Sequence, residues 1–342
     1  MWNLSRKIGI DLGTATVLVY EKGKGIVLQE PSVVALDKEN NKVLAVGKEA
    51  QRMLGRTPTN IVAIRPMREG VIADFDVTET MLKMFLNKIL GRHRMVKPLV
   101  MVCVPAGVTG VEKRAVIEAA MQVGARKTYL IEEPLAAALG AGLAIEEPSG
   151  SMVIDIGGGT TDIAVLSLGG IVVPESLRIG GDNFDQALIR YVKEVYNLKI
   201  GEGTAEKIKV EVGTAFPQEE ENKSLEVRGQ DIMTGLPGSI NISSHEAFEA
   251  LQDPLQTILA GIRRVLERTP PELSSDISEK GLVMTGGGAL LRGLDKLISQ
   301  ETGVPAIRAE NTLSCVAIGT GLALENIDRL GKTLKSSNMG LE

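Results

Sequence analysis

Residues 153–166 read VIDIGGGTTDIAVL, and residues 8–20 read IGIDLGTATVLVY. Each stretch is an apolar, β-branched run, an Asp, one apolar residue, a Gly/Thr turn and a second apolar run, which predicts a hairpin of two strands around a tight turn. The copies stand almost half the chain apart, so the pattern predicts two lobes with one hairpin each. A third glycine turn, LVMTGGGALL (282–291), follows in the second half.

The turns have a chemistry of their own. A bend rich in glycine leaves backbone N–H groups pointing inward without ladder partners, and such concave clusters bind anions, phosphate above all. Gly157, Gly158 and Gly159 permit close backbone approach, while Thr14, Thr16, Thr160 and Thr161 add hydroxyl donors. Asp11 and Asp155 precede the turns. Their carboxylates would repel phosphate unless a cation intervened, which points to phosphate-bound Mg²⁺ reached through water. Two facing hairpins would clamp a polyphosphate from both sides. One such turn alone reads equally well as a plain hairpin with Asp in the bend; the repetition favours the site. No G-x-x-x-x-G-K-[ST] occurs, and no strict G-x-G-x-x-G opens a helix, which argues against a P-loop and a dinucleotide fold.

The chain of 342 residues is long enough for two domains. Its 44% hydrophobic and 24% charged residues are those of a globular protein. A net charge of −5 argues against a broad nucleic-acid surface. Cys103, Cys315, His93 and His245 are the sole Cys and His residues and show no zinc-ligand spacing. Both cysteines lie in apolar runs, as expected of buried, reduced thiols. The N-terminus lacks a signal-peptide core, and no apolar run reaches the roughly 18–20 residues of a membrane span. A cytoplasmic protein is expected.

Strands are predicted at Lys7–Ile10, Thr16–Tyr20, Leu99–Val104, Met152–Ile156, Ile163–Leu168 and Leu282–Met284. Helical period marks Thr78–Leu90, Gly110–Val123, Glu133–Gly142, Asn183–Val195, Ser244–Arg268 and Leu291–Glu301. Interleaved strands and helices imply an α/β architecture. Segments 30–65 and 205–243 are more polar and read as irregular insertions.

Taken together, DLGTAT (11–16), IEEPLAAALGAG (131–142), DIGGGTTD (155–162), GLVMTGGGALL (281–291) and CVAIGTG (315–321) resemble the phosphate, connecting and adenosine motifs of the actin-like ATPase superfamily. Within it the chain is most similar to the MreB family of bacterial actins, with support from KGKGIVLQEPSVVAL (22–36), AIRPMREGVIADF (63–75), RIGGDNFD (178–185) and TPPELSSDI (269–277). The resemblance covers about residues 6–325. It implies an actin-like fold of two lobes, each a ribonuclease-H-like β-sheet with helices carrying a smaller inserted subdomain. The first core lobe would be 1–31, 66–140 and 315–342, with insert 32–65. The second would be 141–181 and 245–314, with insert 182–244.

The resemblance also implies ATP/ADP and Mg as cofactors. Thr14, Ala15 and Thr16 would meet the β- and γ-phosphates from one lobe, and Gly157, Gly158, Gly159 and Thr160 from the other. Asp11 and Asp155 would hold the Mg²⁺ shell. Gly181 and Asp182, with Glu206, Lys207, Ile208 and Lys209, would face ribose and base, and Gly286, Gly287, Gly288 and Ala289 would pass beneath the adenine. Glu133 would orient the attacking water, with Thr160 helping; its neighbour Glu132 reads as structural. Many relatives carry Asn in place of Thr16 and Glu in place of Asp162, swaps that keep the polar or acidic character.

A slow, Mg-dependent ATPase that forms head-to-tail filaments of paired protofilaments is therefore expected. It would lie at the cytoplasmic face of the membrane and work with the cell-wall elongation machinery to set rod shape, without nucleic acid. Trp2 and Leu4, beside Arg6 and Lys7, and Met95 and Val96, rimmed by Arg92, His93, Arg94 and Lys97, are the candidate membrane contacts. A plasmid-segregating filament and a small-molecule kinase of the same fold are the alternatives. A heat-shock ATPase would need a substrate domain beyond residue 342.

Overall fold

The computed structural model describes residues 6–90, 97–217 and 222–327. The first hairpin forms β1 (Lys7–Leu12) and β2 (Thr16–Glu21), followed by β3 (Gly25–Pro31). The chain then leaves this sheet for β4 (Val34–Asp37), β5 (Val43–Val46), the helical turn α1 (Lys48–Gln51) and β6 (Ile61–Ile64), and for a ribbon of β7 (Met67–Arg68) and β8 (Val71–Ile72). It returns through α2 (Phe75–Leu90) to β9 (Leu99–Val104), α3 (Gly110–Gln122) and β10 (Lys127–Glu132). The sheet order is β3-β2-β1-β9-β10, antiparallel across the first three strands and parallel across the last three.

From α4 (Glu133–Gly140) the plan repeats. The second hairpin gives β11 (Ser151–Ile156) and β12 (Thr161–Ser167), followed by β13 (Gly170–Leu177). The insert holds α5 (Gly181–Tyr196), β14 (Leu198–Lys199), α6 (Glu202–Glu211), β15 (Ser224–Asp231) and β16 (Pro237–Ser243). Next come α7 (Ser244–Arg268), α8 (Pro271–Lys280), β17 (Leu282–Thr285), α9 (Leu294–Thr302), β18 (Ala306–Arg308) and α10 (Cys315–Glu325). The order β13-β12-β11-β17-β18, with the same pairing senses, matches the first sheet strand for strand. The sequence echo is thus a repeat of topology, with an insertion after the third strand each time.

Of the segments expected to be irregular, 30–65 forms the small sheet β5-β4-β6, and 205–243 supplies β15 and β16 of a second, completed by β14. Local chemistry sets several helix starts: Thr109 with Glu112 and Ser243 with Glu246 form capping boxes that open α3 and α7. The predicted helix at 291–301 begins later, because Gly293 adopts φ 72° ahead of α9.

Among the described residues three large cores hold the fold, and a small fourth one, Val33, Ala35, Ala45 and Ala50, fills the first insert. One large core lies under each main sheet, and the third is shared. It joins Met101, Cys103 and Ile131 of the first sheet to Val153, Ala164 and Leu166 of the second through Leu135–Ala138 of α4 and Val316, Ala323 and Leu324 of α10. Two short helices sandwiched between the sheets therefore connect the lobes. No helix among the described residues is long and apolar enough to cross a membrane.

Candidate functional site

The two Gly/Thr turns meet. A Cβ added at Gly158 would lie 2.5 Å from the Ala15 Cβ, and one at Gly159 would lie 2.7 Å from Thr14 Oγ1. Only glycine allows this approach. Thr14 Oγ1 also accepts the Gly70 N–H (3.0 Å), which fixes the first turn. The Gly157 N–H closes its own turn on the Thr160 carbonyl (2.8 Å). Among the described residues the N–H groups of Gly158 and Gly159 have no protein acceptor, so they remain free to bind an anion.

Around the turns lies a cavity of about 510 Å³, a size suited to a nucleotide-sized ligand. Its wall contains Asp11, Thr14, Ala15, Thr16, Glu133, Asp155, Gly157, Gly158, Gly159, Thr160, Gly181, Asp182, Glu206, Lys209, Gly286, Gly287 and Gly288, which sequence reasoning had selected. Three selected residues are not brought there. Ile208 and Ala289 are fully buried in the core of the second lobe. Lys207 is exposed and pairs with Glu211 at 3.9 Å. Helical phase explains the split: Glu206 and Lys209, three apart, share the face of α6 that meets the cavity, while Ile208 points inward. Lys209 also bonds Asp185 (2.8 Å) and the Gly181 carbonyl (3.2 Å), tying α6 to α5. Arg65 to Glu202 (3.8 Å) and Glu69 to Arg178 (3.6 Å) link the two halves across the cleft.

The cavity floor is a set of crowded carboxylates. Asp11 and Asp155 are the penultimate residues of the equivalent strands β1 and β11. Thr285 on β17 donates to Asp155 Oδ1 (2.6 Å), and Cys103 on β9 donates to Asp11 Oδ1 (3.3 Å). Asp162 lies opposite Asp155 in the hairpin register and accepts the Ala106 N–H (2.9 Å). Sequence reasoning noted Asp162 within the motif but gave it no role; the register of the hairpin carries the signal, because directly opposed residues project to one face. Burial, reinforced by Asp155, raises Asp11 to about 7; burial raises Asp155 to about 6 and Asp162 to about 7. Glu133, 8% exposed at the start of α4, is pushed well above the carboxylate range by burial and by Asp162, Asp11 and Asp155. The carboxylate oxygens of Asp11 and Asp155, facing anion-binding turns, fit Mg²⁺ carried by a phosphate.

This crowding predicts an unusual pH dependence. A carboxyl raised in the folded state contributes stability that is complete below its unfolded pKa and lost as pH rises through the folded value. For Asp11, Asp155 and Asp162 that window runs from about 4 to about 7. Nucleotide-free protein should melt about 5 °C lower at pH 8 than at pH 5.5, one pKa unit being about 1.4 kcal/mol. Saturating Mg-nucleotide should flatten the profile. Differential scanning fluorimetry decides, and a rise in melting temperature from pH 5.5 to 8 without ligand would refute the assignment.

Trp2, Leu4, Met95 and Val96, with Arg92, His93 and Arg94, lie outside the described residues. Arg6 and Lys7, expected to face headgroups, are engaged elsewhere: Arg6 pairs with Glu21 (2.6 Å), and Lys7 donates to the carbonyls of Leu324 and Glu325 (3.1 and 3.3 Å).

Comparison with known proteins places this geometry. The family model described as MreB/Mbl protein matches residues 5–332. The cell shape-determining protein Mbl of Bacillus subtilis is 56% identical over 328 residues, covering 96% of this chain and 98% of the relative. The cell shape-determining protein MreB of Escherichia coli is 55% identical over 337 residues, 97% of each. Crystal structures of MreB5 of Spiroplasma citri bound to ADP and to AMPPNP superpose with TM-scores of 0.90 and 0.89 at 37% identity, covering 98% of this chain and 99% of theirs.

Proposed function

The chain belongs to the MreB/Mbl family, and from that premise we propose that it is an ATP-binding cytoskeletal subunit. In this reading it polymerises at the cytoplasmic face of the membrane and organises cell-wall growth and rod shape. The contact between the two glycine turns over the carboxylate floor carries the reading, since it builds one anion-binding cleft from both lobes. The relatives' names supply the cellular role, and the nucleotides bound to MreB5 supply the ligand class.

Each residue has a task in this cleft. The free N–H groups of Gly158 and Gly159, with the hydroxyls of Thr14, Thr16 and Thr160, hold the phosphates. Asp11 and Asp155 would hold the water shell of Mg²⁺, which would neutralise charge on the phosphates. Gly181, Asp182, Glu206 and Lys209 bound the ribose and base, above Gly286–Gly288. Glu133 orients water for slow hydrolysis. The lobes and inserts divide as 1–31, 66–140 and 315–342 with 32–65, and 141–181 and 245–314 with 182–244.

Exposed apolar residues of the second lobe support a reading of where subunits touch. Strand β12 runs away from the phosphate turn and ends at Ser167, and the next residue, Leu168, is 69% exposed beside half-exposed Val172. Helix α5 also starts at this turn, packs chiefly on α6 and α7, and ends about 24 Å away at 16 residues of helical rise. There the β15–β16 tip exposes Met233 (80%) and Leu236 (64%). Two unlike apolar patches, each remote from the phosphate turn, suit a head-to-tail contact that does not close, which yields open filaments. The apolar segments around Trp2 and Leu4 and around Met95 and Val96 would add weak membrane anchors multiplied along the polymer.

Co-sedimentation with ATP or ADP, with and without anionic liposomes, tests both parts. Wild type should pellet with ATP and carry liposomes down. A Met233→Asp, Leu236→Asp double variant should bind ATP but lose pelleting. A Trp2→Ala, Met95→Ala, Val96→Ala variant should pellet but leave the liposomes behind. Failure of wild type to assemble in any nucleotide, with phosphate transfer to a small hydroxyl substrate, would favour the kinase reading instead.

A further inference from the structure

Cys103 is a buried thiol set among the carboxylates of the cleft. Its thiol, 3% exposed on β9, points between Asp11 and Glu133, with Sγ 3.3 Å from Asp11 Oδ1 and 4.0 Å from Glu133 Oε1. Donor atoms of the three residues all lie within 4.8 Å of one another. Two ligands at zinc–sulfur and zinc–oxygen bond lengths on a tetrahedral ion stand about 3.6 Å apart, and the two sulfur–oxygen separations bracket that value. A fully buried acceptor lies next to this cluster: Asp162, whose charge bears on Glu133, keeps Oδ2 without a hydrogen-bond partner.

We propose that Asp11, Cys103 and Glu133 form a binding site for a thiophilic divalent cation, zinc being the expected ion, in the nucleotide-free protein. Magnesium does not explain a thiolate ligand, because it takes hard oxygen donors and keeps its waters. A borderline ion accepts sulfur and carboxylate together. On binding, the thiol proton passes to solvent as the metal–sulfur bond forms. Asp11 and Glu133 line the large cavity, whereas Cys103 lines a neighbouring apolar pocket of about 190 Å³. Two of the three ligands therefore face the cavity that holds the phosphate turns, and an ion bound to them would compete with Mg-nucleotide for Asp11. The metal contact stands independently of the proposed function; its competition with ATP rests on that reading.

Cobalt is the probe, because a thiolate bound to Co²⁺ gives a charge-transfer absorption in the near ultraviolet. Nucleotide-free wild type titrated with Co²⁺ should develop that absorption, and Zn²⁺ should displace it. Cys315→Ser, which removes the other buried thiol, should behave as wild type. Cys103→Ser should lose the absorption. Glu133→Gln should keep it but weaken the affinity at least about tenfold, the scale of losing a ligand or its support. Thermal melts confirm that each variant is folded, and Glu133→Gln serves should Cys103→Ser not fold. Absence of the absorption in wild type, or its persistence in Cys103→Ser, overturns the site. Saturating Mg-ATP should abolish it. Persistence there, with fluorescent nucleotide shown to bind, overturns the competition, whereas failure of nucleotide to bind at all strikes the proposed function and leaves the metal site standing.

Discussion

Glu133→Ala should keep ATP binding close to wild type and slow phosphate release by about 10²-fold or more, the range of losing a positioned general base. Glu133 opens α4 directly after β10, so the strand end fixes its backbone and Pro134 stiffens the first turn. Its side chain lies on the cavity wall with Asp11, Asp155 and Thr160, where a water next to the terminal phosphate would sit. A Glu favoured merely as a helix-start residue would be worth about 0.3–1 kcal/mol and would touch no rate. Environment separates the two accounts. Asp162, Asp11 and Asp155 oppose the Glu133 charge on top of its burial, so the residue is held in an unfavourable ionisation balance. Removing the carboxyl should therefore raise the melting temperature of nucleotide-free protein above neutral pH even as hydrolysis falls, a trade seen where structure is kept for function. Glu132→Ala is the control: that side chain is partly exposed, reaches Lys113 at 3.9 Å and does not line the cavity. Single-turnover phosphate release measured beside nucleotide affinity decides the matter. Release at the wild-type rate in Glu133→Ala, or an equal loss in Glu132→Ala, would remove Glu133 from the chemistry.

What could be read in the sequence was whatever is decided locally. Both hairpins were visible because alternation and turn chemistry lie within a dozen residues. The helix Ser244–Arg268 was bounded correctly because Ser243 and Glu246 cap it and Thr269, followed by two prolines, ends it. Three things depended on distant contacts. The inserts read as irregular because their short strands pair in small sheets with partly exposed faces, as the burial of β15 and β16 shows. Helix α10, CVAIGTGLALE, gave no helical period because α4 and the first sheet cover it on several sides. Ile208 and Ala289 were placed at the ligand by motif, although their side chains belong to the core beside it. The link between Cys103 and Asp11 joins parallel neighbours β9 and β1, 92 residues apart, and no local pattern announces it.

That same covering of α10 sets the second large effect. Gly319→Ala should destabilise the protein by more than about 3 kcal/mol, the upper end of overpacking penalties, and should weaken nucleotide binding with it. At the crossing of α4 and α10 the two backbones touch. A methyl group on Gly319 would overlap the Ala136 carbonyl and come within 2.7 Å of the Gly140 nitrogen. On the facing helix, a methyl on Gly140 would overlap the Cys315 carbonyl and come within 2.9 Å of the Cys315 Cα. Backbone cannot swing aside as a flexible side chain can, so the helices must separate. Separation opens the shared core, where Leu135, Ala136 and Ala138 meet Val316 and Ala323 between the sheets. Because α4 carries Glu133 and leads from the first sheet to β11, moving it also shifts one turn against the other. A stability loss spread evenly over the molecule would leave the relative placement of the turns unchanged. The variant should instead lose ATP affinity at temperatures where circular dichroism shows it folded. Gly110→Ala, at the first position of α3 with no atom near the added carbon, should be neutral or slightly stabilising. A Gly319→Ala protein that melts within about 2 °C of wild type would mean that α4 and α10 do not press on each other, and with that the shared core would cease to be what couples the lobes.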